Sequence, residues 1–366
     1  MVNEIFLMRS VACLGIVILH SVDRVFPEGS SVIISLVKLL LVCSTPIFIF
    51  ISEFILAKTY REELPSTFWG KRIKYVLLPF LFFGTFYALA KAIQESLGSE
   101  GHVVTLFLTF LWKHLILGDY HGYFILVIFQ FYLLHYFFHK LLKKANPVLM
   151  IGLSLLTTLA YLGFFNFTNP LPTPIWEYIW ETFYWIPFPG WLFYFTLAYY
   201  CGVYYEEFIT SLKKSAKWIL ITPILFAIIS LTIDRLGWIE VISSKRVDMV
   251  FYSTSLILLL YYAANQMKNI PRFFIVISQY SFGIYLFHPF YLAVMYMVFS
   301  IISYTFSPAV EFLLYVTGST LLSMISTYVL NKLPFGKYVS GRIGIGMKKE
   351  KLLFDPKQNY VQARAK

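Results

Sequence analysis

The segment Ile5-Phe6-Leu7-Met8-Arg9-Ser10-Val11-Ala12-Cys13-Leu14-Gly15-Ile16-Val17-Ile18-Leu19-His20 decides the class of this protein. It opens an apolar run over 5–23, long enough to cross a hydrocarbon core of ~30 Å as a helix. No basic stretch precedes the run and no small-residue cleavage site follows it, so it reads as a retained membrane helix rather than a signal peptide.

Nine more runs of comparable length follow, at 32–57, 76–93, 122–141, 147–167, 190–208, 217–236, 248–265, 273–303 and 309–330. Composition agrees: 58% of the 366 residues are hydrophobic and 13% charged, with a mean hydropathy of +0.70. A water-soluble chain carries about 25% charged residues. These values exclude a nucleic-acid domain, a secreted disulfide scaffold and a disordered tail protein. They predict an all-α polytopic membrane protein, a bundle of about ten transmembrane helices forming one domain over 1–330, with a basic tail over 331–366. Residues 103–117, with Trp112, Lys113 and His114, are too few to span and suit an interfacial or re-entrant helix. Cys13, Cys43 and Cys201 fall inside apolar runs, without the spacing of a disulfide framework or a metal site.

Lys and Arg are retained on the cytoplasmic side of short loops. Of the 30 basic residues, 22 follow the second, fourth, sixth, eighth and tenth runs, among them Lys58, Lys71, Lys143, Lys213 and Arg272. The opposite side holds Arg24, Lys91, Lys113, Arg235, Lys245 and Arg246. Both termini are therefore expected in the cytoplasm, and the topology rule accounts for most of the net charge of +11. The external loop 168–189 has no Lys or Arg but holds Trp176, Tyr178, Trp180, Tyr184 and Trp185 beside Glu177 and Glu181. It reads either as an interfacial aromatic belt or as a surface on which sugar rings stack.

An ionisable residue in a spanning helix is a functional hypothesis by default. Arg9 and His20 are 11 positions apart. At about 100° per residue this is three turns plus roughly 20°, so both lie on one helix face, roughly 16 Å apart along the axis. His288, in Tyr285-Leu286-Phe287-His288-Pro289, is as far along its run as His20 is along the first, and Pro289 frees the carbonyl of Tyr285. His121, in His121-Gly122-Tyr123-Phe124, can reach the same level, so three histidines are expected around one outward-facing pocket. The ordinary alternative for each is a neutral imidazole bridging two helices, worth about 0.6 kcal/mol. Lys38 is expected to snorkel to the outer interface and Glu53 to neutralise Arg9.

Leu7-Met8-Arg9-Ser10-Val11-Ala12 through His20 resembles the acyltransferase 3 family of integral membrane acyltransferases, whose first helix carries Arg or Lys, ten residues, then His. Four more segments match in order. They are Ser44-Thr45-Pro46 through Ser52, Lys71-Arg72-Ile73-Lys74 before Leu78-Pro79-Phe80, His121-Gly122-Tyr123-Phe124, and Ser281-Phe282-Gly283 through His288. Two positions depart from the family pattern: its Arg-x-x-Arg is here Arg72-x-x-Tyr75, and a common Gly is here Glu53. Gly118 through Phe131 and Gly190 through Phe195 are similar to the branch of the family found in poly-N-acetylglucosamine loci, described both as exporters and as O-acyltransferases.

The resemblance implies transfer of a short acyl group, acetyl or succinyl, from cytoplasmic acyl-CoA to a hydroxyl of a cell-surface glycan in the bacterial plasma membrane. Acetyl-CoA is the expected donor and no metal is implied. Membrane lipids, the glycan acceptor and a polysaccharide synthase are the expected partners, and nucleic acid is not. Arg9, Lys71, Arg72 and Lys74 would hold the CoA phosphates. His20 would take the hydroxyl proton, with His288, Tyr285 and His121 orienting it or stabilising the oxyanion. No soluble extension follows the tenth run, so transfer is expected to finish within the membrane domain. The rival reading is an exporter of a cell-surface polysaccharide of the poly-N-acetylglucosamine type, its path lined by the intramembrane polar residues.

Overall fold

A computed structural model of the chain describes residues 3–26, 31–98, 102–239, 241–302 and 306–344. Every regular element among them is helical. Of the expected basic tail, residues 345–366 lie outside the described residues.

The elements are α1 (Glu4–Val25), α2 (Val32–Leu41), α3 (Ser44–Thr59), α4 (Phe68–Arg72), a π-helical turn (Ile73–Leu77), α5 (Leu78–Ser96), α6 (Val103–Leu115), α7 (Tyr123–Lys144) and α8 (Pro147–Phe167). After them come α9 (Pro174–Glu181), two 3-10 turns, α10 (Leu192–Val203), α11 (Tyr205–Lys214), α12 (Ala216–Arg235), α13 (Met249–Gln266), α14 (Arg272–Ile301), α15 (Pro308–Lys332) and α16 (Gly336–Val339). Their starts follow local chemistry. Ser31 Oγ accepts the Ile34 amide of α2 at 3.3 Å, and Asn146 Oδ1 accepts Val148 and Leu149 at 2.9 and 3.1 Å in front of Pro147.

Eight of the expected segments are long and apolar enough to cross a membrane: α1, α2–α3, α4–α5, α7, α8, α12, α14 and α15. The other two are helical but different in kind. Over 190–208 the helix ends at Val203, and Tyr204 leaves helical geometry at φ −99°, ψ 51°. At about 1.5 Å per residue, the 12 residues of α10 extend only ~18 Å. The sequence then turns amphipathic in α11, with Glu206 and Glu207 at its start and Lys213 and Lys214 at its end, the arrangement that complements a helix dipole. Helix α13 has 18 residues but dilutes its apolar stretch with Tyr, Asn and Gln. The 13-residue α6 is as short as expected.

Helix α1 is the axis of the bundle, packed against α14, α3, α15 and α13. Its apolar stretch is 67% buried, against 17% for α8 and for α12, which keep their apolar faces for lipid. Ser10 and Ser21 of α1 are buried and Arg9 partly so, whereas Asp23 and Arg24 at its end are exposed. All three cysteines are buried and unpaired.

Two of the six basic residues that break the charge asymmetry are built into the fold, while Arg24, Lys91 and Arg235 are exposed. Arg246 is fully buried, with Nη1 on Asp234 at 2.8 Å and Nε and Nη2 on the two Asp248 oxygens at 3.0 and 3.1 Å. Lys245 is also buried, its ammonium 4.0 Å from the Trp185 ring centre and 4.5 Å from that of Tyr123. The second half of the aromatic loop packs on α8, with Trp180 on Phe165 at 4.8 Å and Tyr184 stacked on the same ring at 4.8 Å. Packing against α8 thus accounts for Trp180 and Tyr184, while residues 171–177 are exposed, Trp176 by 41%.

Candidate active site

Three elements bring the three histidines together. His20 lies near the end of α1, His288 in the middle of α14, and His121 in the turn before α7. The His20 and His288 rings are 5.3 Å apart, and His121 stands 6.0 Å from His288. That turn depends on two glycines. Gly118 adopts φ +63°, a conformation side chains resist. Gly122 lets the Tyr120 ring lie against the backbone, where a Cβ would meet that ring at 2.2 Å. Tyr120 is pinned by its hydroxyl donating to the Phe80 carbonyl at 3.1 Å, and His114 stacks on its far face at 5.0 Å. Tyr285 donates its hydroxyl to the His121 carbonyl, tying α14 to the turn.

Helix α14 is opened where the chemistry gathers. Pro289 has no amide to give the Tyr285 carbonyl, and His288 Nδ1 lies 2.9 Å from that carbonyl and 3.0 Å from the Ile284 carbonyl. Two acceptors on one ring nitrogen fix the tautomer. Nδ1 carries the proton, and Nε2 is a bare lone pair, buried and without a partner among the described residues. One residue further, the Tyr87 hydroxyl of α5 inserts into the helix, donating to the Leu286 carbonyl at 2.8 Å and accepting the Phe290 amide at 3.2 Å. The Tyr87 ring also meets His121 edge-on at 4.7 Å.

A cavity of about 330 Å³ opens beside these rings, lined by His20, Asp23, Arg24, His121, Pro289 and Leu292. Asp23 is the residue that sequence reading missed. It lies three positions after His20, with Oδ2 3.8 Å from His20 Nδ1, while its Oδ1 is 2.8 Å from Lys38 Nζ. The i, i+3 spacing was the available signal. Lys38 does not snorkel. It is buried against Asp23, because α2 packs alongside α1 and offers its amine a carboxylate in place of water.

The expected cofactor-binding cations lie at the opposite end of α1. Arg9 faces the bundle there, and among the described residues no carboxylate forms an ion pair with it. Arg72 is half-buried, its guanidinium 4.8 Å over Tyr132 and 5.0 Å over Phe68, with Nε unpartnered among the described residues. Lys71 and Lys74 are exposed on α4 and the π-helical turn. At the departure from Arg-x-x-Arg, Tyr75 stacks on Tyr338 at 5.7 Å and the Arg342 guanidinium lies 5.1 Å over its ring. The C-terminal segment thus returns a cation to that position. Nearby, exposed Glu62 takes Lys143 Nζ at 2.6 Å on each oxygen, and this bond holds its carboxyl below the usual range.

Glu53 does not neutralise Arg9. It faces α7, where its Oε1 meets His135 Nδ1 at 2.7 Å, with both side chains buried. His135 stacks on His139 at 5.0 Å, and the Tyr199 hydroxyl lies 3.1 Å from His139 Nδ1. A buried carboxylate bonds whichever polar group its helix presents it to, and hydropathy carries no information about that facing.

Comparison with known proteins adds the chemistry. A family profile described as an acyltransferase domain matches residues 2–328. YfiQ of Bacillus subtilis (strain 168), named as a membrane-bound acyltransferase, is 38% identical over 98% of this chain and 97% of its own. Proteins of Staphylococcus aureus (strain MRSA252) and Staphylococcus epidermidis, named as poly-beta-1,6-N-acetyl-D-glucosamine export proteins, are 25% and 24% identical over 78% of this chain, covering 81% and 80% of theirs. No solved structure matches.

Proposed function

The chain belongs to the acyltransferase 3 family of multi-pass membrane proteins, and from that premise we propose that it moves a short acyl group from acyl-CoA to a hydroxyl of a cell-surface polysaccharide. The observation that carries this reading is α1 itself. It holds a cation with no carboxylate partner among the described residues at one end and, on the same face, a histidine at a cavity near the other. The separation of roughly 16 Å along the axis suits a pantetheine arm whose phosphates stay with Arg9, Arg72, Lys71 and Lys74.

In the proposed step the acceptor hydroxyl gives its proton to His20 as its oxygen bonds the thioester carbon. The C–S bond then breaks, and the thiolate takes the proton back from His20. His288, with Nδ1 held by its own helix, presents Nε2 as an acceptor for a second hydroxyl of the incoming sugar, whose attacking hydroxyl gives its own proton to His20. Tyr285, its proton committed to the His121 carbonyl, holds that histidine at the cavity. Acetyl is the proposed group, with succinyl as the alternative. The staphylococcal names favour a poly-N-acetylglucosamine acceptor and carry the rival export reading. Against export stands the layer between the two ends of α1, where Phe124 packs on Tyr285 at 4.5 Å and Phe48 on Phe124 at 6.1 Å. A single methylene-wide arm passes by rotamer changes, whereas a chain of sugar rings needs helices to part.

Two experiments test the reading. Purified protein should release thiol from acetyl-CoA, and Arg9→Gln should weaken acetyl-CoA binding about 10-fold or more, the order expected for losing a charge-assisted bond to phosphate. Parental affinity of Arg9→Gln in a calorimetric titration would reassign Arg9 to structure. The proposed topology, ten crossings with both termini in the cytoplasm, rests on the basic residues after alternate segments. Single cysteines at exposed Ser66 and Thr173 report it against a quiet background, since the native thiols are buried. A membrane-impermeant maleimide added to whole cells should label Thr173→Cys and spare Ser66→Cys, and the reverse would invert the protein.

A further inference from the structure

We propose that Asp23, tethered by Lys38, is the positioning residue that holds His20 as a base, an inference that rests on the acyl-transfer reading above. His20, at the cavity, and His288, buried beside it, are fixed by different devices. His288 gives its Nδ1 proton to two carbonyls of its own helix. Neutral carbonyls orient a ring but add no charge. The last turn of α1 offers His20 a carboxylate instead, one turn along the same face, with Oδ2 3.8 Å from Nδ1.

A carboxylate in that position does two things. It selects the tautomer with the proton on Nδ1 and the lone pair on Nε2, and it stabilises the imidazolium formed when Nε2 takes the acceptor proton. The 3.8 Å separation is longer than a hydrogen bond, as resting-state catalytic contacts often are. What keeps Asp23 aimed is Lys38. Its ammonium lies 2.8 Å from Oδ1 on a side chain only 10% exposed, whereas Asp23 is 46% exposed. An aspartate so open to water needs no lysine for its own solvation. Burying an amine is unfavourable unless it is paired, so the arrangement makes sense as a clamp on the direction of the carboxylate.

A pin between α1 and α2 would use the same ion pair, so the test separates the two roles. In the full-length protein, with acetyl-CoA as donor and an N-acetylglucosamine oligosaccharide or water as acceptor, Asp23→Asn should lower kcat about 10- to 100-fold. KM for acetyl-CoA should stay unchanged, and Asp23→Glu should recover most of the loss. Lys38→Met should lower kcat less, because the carboxylate remains but wanders. A second readout needs no turnover: diethylpyrocarbonate labelling of His20, followed by peptide mass spectrometry. His20 is 42% exposed and should react readily, while fully buried His288 serves as the internal control. Loss of the carboxylate should slow labelling of His20 severalfold and leave His288 unchanged.

Parental kcat and labelling rate in Asp23→Asn, with activity lost in His20→Gln, would overturn the positioning role alone. Parental activity in His20→Gln would overturn the base assignment and this proposal with it. Equal falls in yield, kcat and affinity across Asp23→Asn, Asp23→Glu and Lys38→Met would make the ion pair a structural pin.

Discussion

Replacing His20 by Gln is expected to cut acyl transfer about 100-fold or more while leaving the fold and donor binding in place. The amide can still bond Asp23 and reach toward the ring of His288, which stands 5.3 Å from that of His20, but it cannot accept a proton at neutral pH. Gln therefore preserves the helix-bridging role and removes the chemical one. His20→Ala removes both, and it does so at a half-exposed position beside a cavity, so it should lose activity to a similar degree without unfolding the protein. Acylation of the glycan read by mass spectrometry, beside a calorimetric titration of acetyl-CoA, separates the outcomes. Near-parental transfer by the Gln variant sinks the base assignment. Loss of acetyl-CoA binding in both variants moves His20 to the donor site.

The common level of His20 and His288 was legible because it needed only helix arithmetic, and His121 joined them from its place at the mouth of α7. Residues at equal depth on helices crossing one slab come level whatever the neighbours are, and Pro289 announced where α14 would open. The face shared by Arg9 and His20 was legible for the same reason. What the sequence withheld was pairing across helices. Periodicity says that Glu53 and Lys38 are inside, and it does not say that α3 turns Glu53 to His135 or that α2 lays Lys38 on Asp23. Asp23 itself escapes notice because it stands at the end of an apolar run, where a carboxylate looks like the exit from the membrane. Helix length failed at α10 for a related reason: the run over 190–208 is apolar up to Tyr205, but Pro187 and Pro189 delay its start and Tyr204 ends it before Glu206 and Glu207. Arg342, beside Tyr75, joins the donor end only through a chain return that local sequence does not encode.

The largest effect on stability is expected at Arg246. Its guanidinium is fully enclosed and satisfied by Asp234, by both oxygens of Asp248 and by the Ser230 carbonyl at 3.2 Å. Arg246→Met keeps much of the volume but leaves two carboxylates facing each other without a counterion, one of them only 6% exposed. Breaking a buried ion pair from one side costs about 3–5 kcal/mol, more than deleting an ordinary core contact of the lipid-facing α12. The buried thiols of Cys13, Cys43 and Cys201 provide the measurement: a thiol-reactive dye should report a much lower unfolding midpoint in detergent. The triple variant Arg246→Met with Asp234→Asn and Asp248→Asn should recover part of the loss, because it removes the stranded charges along with their partner. An unchanged midpoint in Arg246→Met would mean that water reaches this corner and the cluster is a solvated surface pair. Recovery in the triple variant would identify stranded charge, rather than lost packing, as the reason a cation is retained on the side of the bundle where lysine and arginine are scarce.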